Sequence, residues 1–404
     1  LSRHIAVIDH FLAGRPEGEA LRQEIAALLE EFDTLCHSIK VLGELTPRAL
    51  DVIGGMGERM NVRQVAAILA ARGLETRALD ATQLIVTDSN YGAASPLMPQ
   101  TTRRSEDVLV PLMDAGIVPV VTGFIGASEE GITTTLGRGG SDYSATILGR
   151  ALNADEVWIW TDVNGVMTAD PRVVPTARTI PALSYAEVGE MAYFGAKVLH
   201  PQAIRPARSA DIPVRILNTF EPDHPGTLIT RDPNGNAKEV KAITAIKGMS
   251  LIVVEGSGMV GVPGIAARTF GAVARVGTSV MMISQSSSEQ SICFVVPTRE
   301  AGGVLNALRE ELARELERRD IESITGQDDI VIIAVVGAGM KGIPGIASKA
   351  FTALGNERIN VIAIAQGSSE YNISIVVDQR DGDAAVRALH AEFRLDEPNG
   401  EARG

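Results

Sequence analysis

Thr135-Leu136-Gly137-Arg138-Gly139-Gly140-Ser141-Asp142-Tyr143 is a glycine-rich loop that runs into a helical pattern over Ser141–Leu152. Glycines let backbone approach a ligand closely, and free N–H groups at a helix start favour anions. Arg138 adds a planar fork that fits a carboxylate or phosphate. The same residues also suit an ordinary glycine turn with Ser141 or Asp142 as N-cap. Working outward, Ile117–Thr122 is an apolar, β-branched run that reads as a buried strand, and Glu106–Ala115 before it reads as a helix stopped by Gly116. Leu84–Thr87, Glu156–Thr161 and Val214–Leu217 read as further strands. Val62–Arg72 reads as a helix stopped by Gly73, and Leu21, Ile25, Leu28, Leu29 and Phe32 recur at helical spacing. Such alternation predicts an α/β domain with a mainly parallel sheet.

A second loop, Trp160-Thr161-Asp162-Val163-Asn164-Gly165-Val166-Met167-Thr168-Ala169-Asp170-Pro171-Arg172, leaves the end of a strand. Ligands of open α/β sheets bind at the carboxyl ends of strands. Thr161, Asp162 and Arg172 are therefore nucleotide candidates, although Asp162 and Asp170-Pro171 also fit simple turn roles. Gly57-Glu58-Arg59-Met60-Asn61, Gly123-Phe124-Ile125-Gly126 and Phe194-Gly195-Ala196-Lys197-Val198-Leu199-His200-Pro201 carry weaker signals. Pro201 suits the first turn of a helix, and Lys197 suits either a phosphate or solvent. The chain has no P-loop string, no protein-kinase signature set and no nucleophile elbow.

Past Glu221–Asn236, a Pro/Gly/Asp/Asn-rich linker, the chain repeats itself. Gly258–Ala266 matches Gly339–Ala347 at a shift of 81 residues, and Gln285-Ser286-Ser287-Ser288-Glu289 falls on Gln366-Gly367-Ser368-Ser369-Glu370. From Gly258 to Ile292, 16 of 35 positions are identical without a gap, so two copies of one module are present. Each reads as a βαββαβ sandwich with an exposed edge or face that pairing would bury, and the cleft between the paired copies suits a small ligand. The domain limits are 1–235 for the α/β domain, 245–325 for the first module and 328–397 for the second.

The balance of 37 basic against 50 acidic residues, net −13, excludes a general nucleic-acid or anionic-membrane binder. The two cysteines, Cys36 and Cys293, have no metal spacing, which suits a reducing, cytoplasmic setting. No metal site and no membrane span is expected.

Taken together, G-E-R-M-N, T-L-G-R-G-G-S-D-Y-S-A, W-T-D-V-N-G-V-M-T-A-D-P-R, F-G-A-K-V-L-H-P and the tandem repeat resemble the aspartate kinases of the amino-acid-kinase superfamily. The resemblance covers nearly the whole chain. It implies a three-layer α/β/α kinase domain followed by two regulatory ACT modules. It implies transfer of the γ-phosphoryl group of ATP, as its Mg²⁺ complex, to the side-chain carboxylate of L-aspartate. A carboxylate needs no base at neutral pH, so catalysis rests on alignment and charge neutralisation. By the same resemblance Arg138 grips the α-carboxylate of aspartate and Glu58 its ammonium, with Phe124 and Ser141 lining the pocket. Asp142 organises the cations around the transferring group. Gly139, Gly140, Thr161, Asp162, Met167 and Arg172 hold the nucleotide, and Lys197 reaches its phosphates. Many relatives have an aromatic residue where Met167 stands. Gln285 and Gln366 head equivalent turns and are effector candidates, with threonine favoured over lysine. A homo-oligomer joined through the ACT modules follows from the family pattern.

The family opens with a K-F-G-G-T-S strand and loop, and that string does not occur in these 404 residues. The expectation is that the 404 residues alone are nearly inactive. Alternatives are the kinase portion of a bifunctional aspartate kinase–homoserine dehydrogenase and a non-catalytic amino-acid-sensing subunit.

Overall fold

The computed structural model describes residues 2–196, 199–233, 239–285, 290–340, 342–367 and 371–397. The chain forms two compact units. One comprises Leu1–Thr161, Leu199–Thr219 and Leu228–Arg231; the other comprises Asp162–Val198, Phe220–Thr227 and Asp232–Gly404. Among the described residues, no helix is long and apolar enough to cross a membrane.

The first unit opens with helices α1 (Ser2–Leu12), α2 (Pro16–Leu42) and α3 (Pro47–Ala71). Ile8, Leu12, Leu21, Ile25, Met56 and Met60 form their shared core. The helix expected from Val62 starts instead at Pro47, where the Thr46 hydroxyl accepts the Ala49 N–H as an N-cap. Its early glycines mask the pattern, and Gly55 has a reason: a Cβ there would lie 3.0 Å from the Ile125 side chain. Strands and helices then alternate as β1 (Thr76–Leu79), β2 (Val86–Thr87), α4 (Met98–Asp114), β3 (Val118–Val121), β4 (Ile125–Ser128), β5 (Thr133–Thr135), α5 (Gly140–Ala151) and β6 (Val157–Thr161). Strand β1 pairs parallel with β3, and β2 with β4; β5 pairs antiparallel with β4. The apolar run at β3 is less enclosed than its composition predicts, with Val118 43% exposed. After β7 (Ala182–Ser184) and α6 (Tyr185–Tyr193), which belong to the second unit, come α7 (Arg205–Ala210), β8 (Val214–Asn218), parallel to β6, and β9 (Thr227–Thr230). Pro201 sits in a turn rather than opening a helix, which begins only at Arg205. The expected linker Glu221–Asn236 contains β9.

In the second unit come β10 (Ala242–Glu255), α8 (Ile265–Arg275), β11 (Met282–Gln285), β12 (Ser291–Pro297), α9 (Thr298–Glu311), α10 (Ala313–Arg318), β13 (Ser323–Val336), α11 (Ile346–Asn356), β14 (Ala363–Gln366), β15 (Asn372–Asp378) and α12 (Gly382–Glu392). The strands make one sheet in the order β11-β12-β10-β13-β15-β14. Both central strands are shared. Residues Met249–Glu255 of β10 pair with β12 and, from Leu251 on, with Ser323–Gln327 of β13, which completes the first copy. Residues Ala242–Ile246 pair with Ile332–Val336, and the same segment of β13 pairs with β15. The second copy therefore takes its fourth strand from residues that precede the first copy. The two are interleaved, where the repeat alone suggested consecutive modules. The shift of 81 holds here too, since Ala242–Glu255 falls on Ser323–Val336. Each copy has its own core: one includes Ile252, Val254, Phe294, Val304 and Leu308, and the other Ile333, Val335, Ile375, Val386 and Leu389.

Candidate substrate and effector sites

In the first unit the expected substrate residues converge on the start of α5. Gly137 and Gly139 have φ of 75° and 71°, which an L side chain rarely adopts. At Gly139 a Cβ would also lie 2.6 Å from the His200 Cβ. At Gly140 it would lie 2.7 Å from the Phe124 ring, and at Gly123 it would lie 3.2 Å from Ser141. The glycines thus let three chain segments close on one point. Phe124 itself has φ 68°, a strained value for a bulky residue. Its N–H donates to Ser144 Oγ at 2.9 Å, and that hydroxyl donates to Gly140 O at 2.8 Å, so the strained loop is tied to α5.

Glu58, on α3, has its carboxyl pushed above the ordinary range by burial, and the Gly123 N–H partly opposes this. Burial also raises Asp142 in the first turn of α5. Carboxylates so placed gain from a cation that arrives with a ligand. His200 is held below its usual value by burial and then by the charges of Arg138 and Arg205. Thr161 closes β6, with its carbonyl accepting the Thr219 N–H at 2.8 Å.

Sequence reasoning missed the support beneath this site. Asp51, 2% exposed on α3, accepts the Thr135 N–H at 2.9 Å, the Thr135 hydroxyl at 2.7 Å and the Gly92 N–H at 2.9 Å. It fixes the strand that feeds the glycine loop. A single Asp inside an apparently loop-like Gly-rich stretch gave no signal for this.

Asp162, Met167 and Arg172 belong to the second unit. Asp162 is exposed. Met167 bridges to Thr179, whose hydroxyl lies 3.6 Å from its sulfur. Arg172 is 76% exposed and pairs with Asp170, Nη2 to Oδ2 at 2.6 Å. Within that unit, Gly165 at φ 112° would put a Cβ 2.4 Å from the Thr227 hydroxyl, which accepts the Val166 N–H at 2.9 Å. Lys197 lies outside the described residues.

Gln285 lines a cleft of about 360 Å³ in the first module, with Met259, the Gly261–Ala266 turn and Ile292. Gln366 ends β14 at the equivalent place and is exposed. Residues 286–289 and 368–370 of the two turns lie outside the described residues. Among the described residues no group of three or more His, Cys, Asp or Glu could hold a metal ion.

Comparison with known proteins agrees with this organisation. The amino acid kinase family model matches residues 7–218, and the ACT domain model matches 252–312 and 333–393. A chloroplastic bifunctional aspartokinase/homoserine dehydrogenase 2 of Arabidopsis thaliana is 38% identical over 98% of this chain, which spans only 44% of that relative. The structure of E. coli aspartokinase III in complex with aspartate and ADP superposes with a TM-score of 0.77 at 31% identity, covering 93% of this chain and 82% of that one. The same enzyme in complex with lysine and aspartate gives 0.74 at 32%, covering 94% and 82%. The chain belongs to the amino acid kinase family and, within it, to the aspartokinases that carry paired ACT domains.

Proposed function

We propose that this chain is an aspartate kinase, transferring the γ-phosphoryl group of ATP to the side-chain carboxylate of L-aspartate to give 4-phospho-L-aspartate, the first intermediate toward lysine, threonine and methionine. The observation that carries the reading is the convergence of Glu58, Phe124 and Ser141 on the glycine start of α5, in whose loop Arg138 stands between Gly137 and Gly139. A zwitterionic substrate needs an anion for its ammonium and a planar cation for its α-carboxylate, and Glu58 and Arg138 supply them. Its side-chain carboxylate is then presented to the phosphoryl group already ionised. Asp142 is the group that orders cations around that phosphoryl, and Lys197 and the backbone of Gly139 and Gly140 oppose its charge. Thr161, Asp162, Met167 and Arg172 take the nucleotide, and Mg²⁺ arrives with it as part of the substrate. The aspartate and ADP bound by the E. coli relative support the pairing of substrates.

Titration with L-aspartate, L-glutamate and N-acetyl-L-glutamate tests the reading. L-Aspartate should bind, and N-acetylglutamate, which has no ammonium for Glu58, should not. Equal binding of all three, or none of aspartate, would remove the proposal.

Gln285 and its cleft form the effector site of the first module, with threonine the favoured ligand. The lysine complex of the E. coli relative keeps lysine as the alternative. Gln366 is its counterpart. Homo-oligomerisation through the ACT modules and a cytoplasmic setting belong to the same reading. A second reading, the kinase portion of a bifunctional aspartokinase–homoserine dehydrogenase, draws support from the plant relative, of which this chain spans 44%.

A further inference from the structure

The loop that carries Asp162, Met167 and Arg172 is built into the second ACT module. Ala169 and Val174, 4% and 5% exposed, belong to that module's core, alongside Ile243, Val335 and Leu389. Thr168 between them is held on every polar group. Its N–H donates to Arg178 O at 2.9 Å, and its carbonyl accepts the Ile243 N–H of β10 at 2.8 Å. Its hydroxyl accepts the Arg178 N–H at 3.0 Å and lies 2.9 Å from Nε2 of His390 on α12. Thr168 is 8% exposed and His390 2%. A buried polar pair of this kind costs stability unless it is satisfied, and once satisfied it fixes one geometry.

The repeat shows that this is a specialisation of one copy. At the shift of 81 residues, His390 corresponds to Arg309, which donates within its own module to Ile324 O at 3.4 Å. Ala338 corresponds to Ser257, whose N–H and hydroxyl both go to Glu322, again inside the first module. In the second copy the Ala338 N–H leaves the module and donates to Glu187 Oε1 on α6 at 2.8 Å. At both places the first copy satisfies itself and the second reaches out.

We propose that Thr168 and His390 are positioning residues that set the nucleotide loop, so that the second module holds Asp162 and Arg172 in place for the nucleotide while the first module reads the effector. This rests on the assignment of the 161–172 loop to the nucleotide. Neither residue touches the nucleotide; each acts through the loop.

The test is titration of the full chain with MgADP and, separately, with L-aspartate. Thr168→Val keeps shape and loses the hydroxyl, and Thr168→Ser keeps the hydroxyl. Thr168→Val should weaken MgADP binding about tenfold, the size expected when a misplaced group acts at a distance. Aspartate affinity should not move, because Glu58 and Arg138 lie in the other unit, and Thr168→Ser should restore most of the loss. His390→Leu, the second variant should Thr168→Val not fold, should repeat the selective loss. Asp162→Ala separates the two layers. If it weakens MgADP binding while Thr168→Val and His390→Leu do not, the positioning inference alone is overturned. If Asp162→Ala also leaves MgADP affinity unchanged, the nucleotide assignment fails and takes the inference with it. A loss that Thr168→Ser does not restore, or an equal loss for aspartate, also overturns it.

Discussion

Ser257 and Ala338 stand at the same place in two copies of one module, one residue before the glycine that opens each G-x-x-G-x-P-G turn. The Ser257 amide turns inward to Glu322, an exposed surface partner. The Ala338 amide turns outward to Glu187, which is fully buried. Glu187 Oε2 also accepts from the Ser184 N–H and hydroxyl and pairs with Lys241 at 3.0 Å, while Lys241 donates to Ala182 O at 3.2 Å. Two copies with the same fold have thus been given different neighbours. The residue before the turn is held inside the module in the first copy and by α6 in the second, while the turns that follow, Gly261–Gly264 and Gly342–Gly345, are exposed in both. Duplication supplies two equivalent folds, and the elements packed beside each copy decide where its amides are satisfied.

The largest effect that could break this contrast is at the buried ion pair. Lys241→Met leaves the Glu187 carboxylate, 0% exposed, without its cation, and should destabilise the protein by about 3–5 kcal/mol. The corresponding Glu322→Gln change in the first copy should leave the melting temperature nearly unmoved, because exposed partners contribute little. Chemical denaturation of the two variants decides, and equal losses would erase the distinction.

Effector binding should divide the glutamines next. Gln285→Ala should weaken threonine or lysine binding by roughly tenfold, the loss of about one hydrogen bond to a charged group, by calorimetry. Gln366→Ala should weaken it much less. The reverse order would place the sensor in the second copy.

Gly264 and Gly345 have φ of 96° and 93°, so alanine at either should cost about 1 kcal/mol of stability by the same backbone mechanism. Only Gly264→Ala should also impair effector binding, since Gly264 lines the Gln285 cleft. Thermal melts with and without effector separate the two consequences.

The smallest effect concerns pH. Arg380 beside Asp378 holds that carboxyl down at about 2, so the ionised form is favoured in the folded state. The stability it adds is present above the ordinary aspartate range and is lost as pH falls toward about 2. The site is exposed, so Asp378→Asn should flatten the acid limb of the stability curve only slightly. A steeper limb in the variant would reverse the sign.

Much of this was legible in the sequence, for physical reasons. Glycine loops, β-branched runs and the offset of 81 residues are local or periodic signals, and they located α5, β6, β8 and the duplicated modules. The shared strands have a weaker signature, because the match of Ile243-Thr244 with Ile324-Thr325 at the same offset is short and follows directly on a linker-like composition. Asp51, Glu187 and Thr168 carry no local signature at all. A buried carboxylate or hydroxyl looks in sequence like a solvated one, and only the tertiary partners reveal it. The first turns of α3 carry Gly54, Gly55 and Gly57, which weaken the helical pattern, and only the tertiary packing of Gly55 against Ile125 explains one of them.

The most direct test of the account is calorimetric titration of L-aspartate into the wild-type chain and into Arg138→Ala, with matched melts to establish folding. Saturable binding in the wild type and a loss of roughly 10–100-fold in the variant are predicted, from removal of hydrogen bonds to a charged carboxylate. Unchanged aspartate affinity in a folded Arg138→Ala protein would contradict the assignment of the α5 pocket to the substrate.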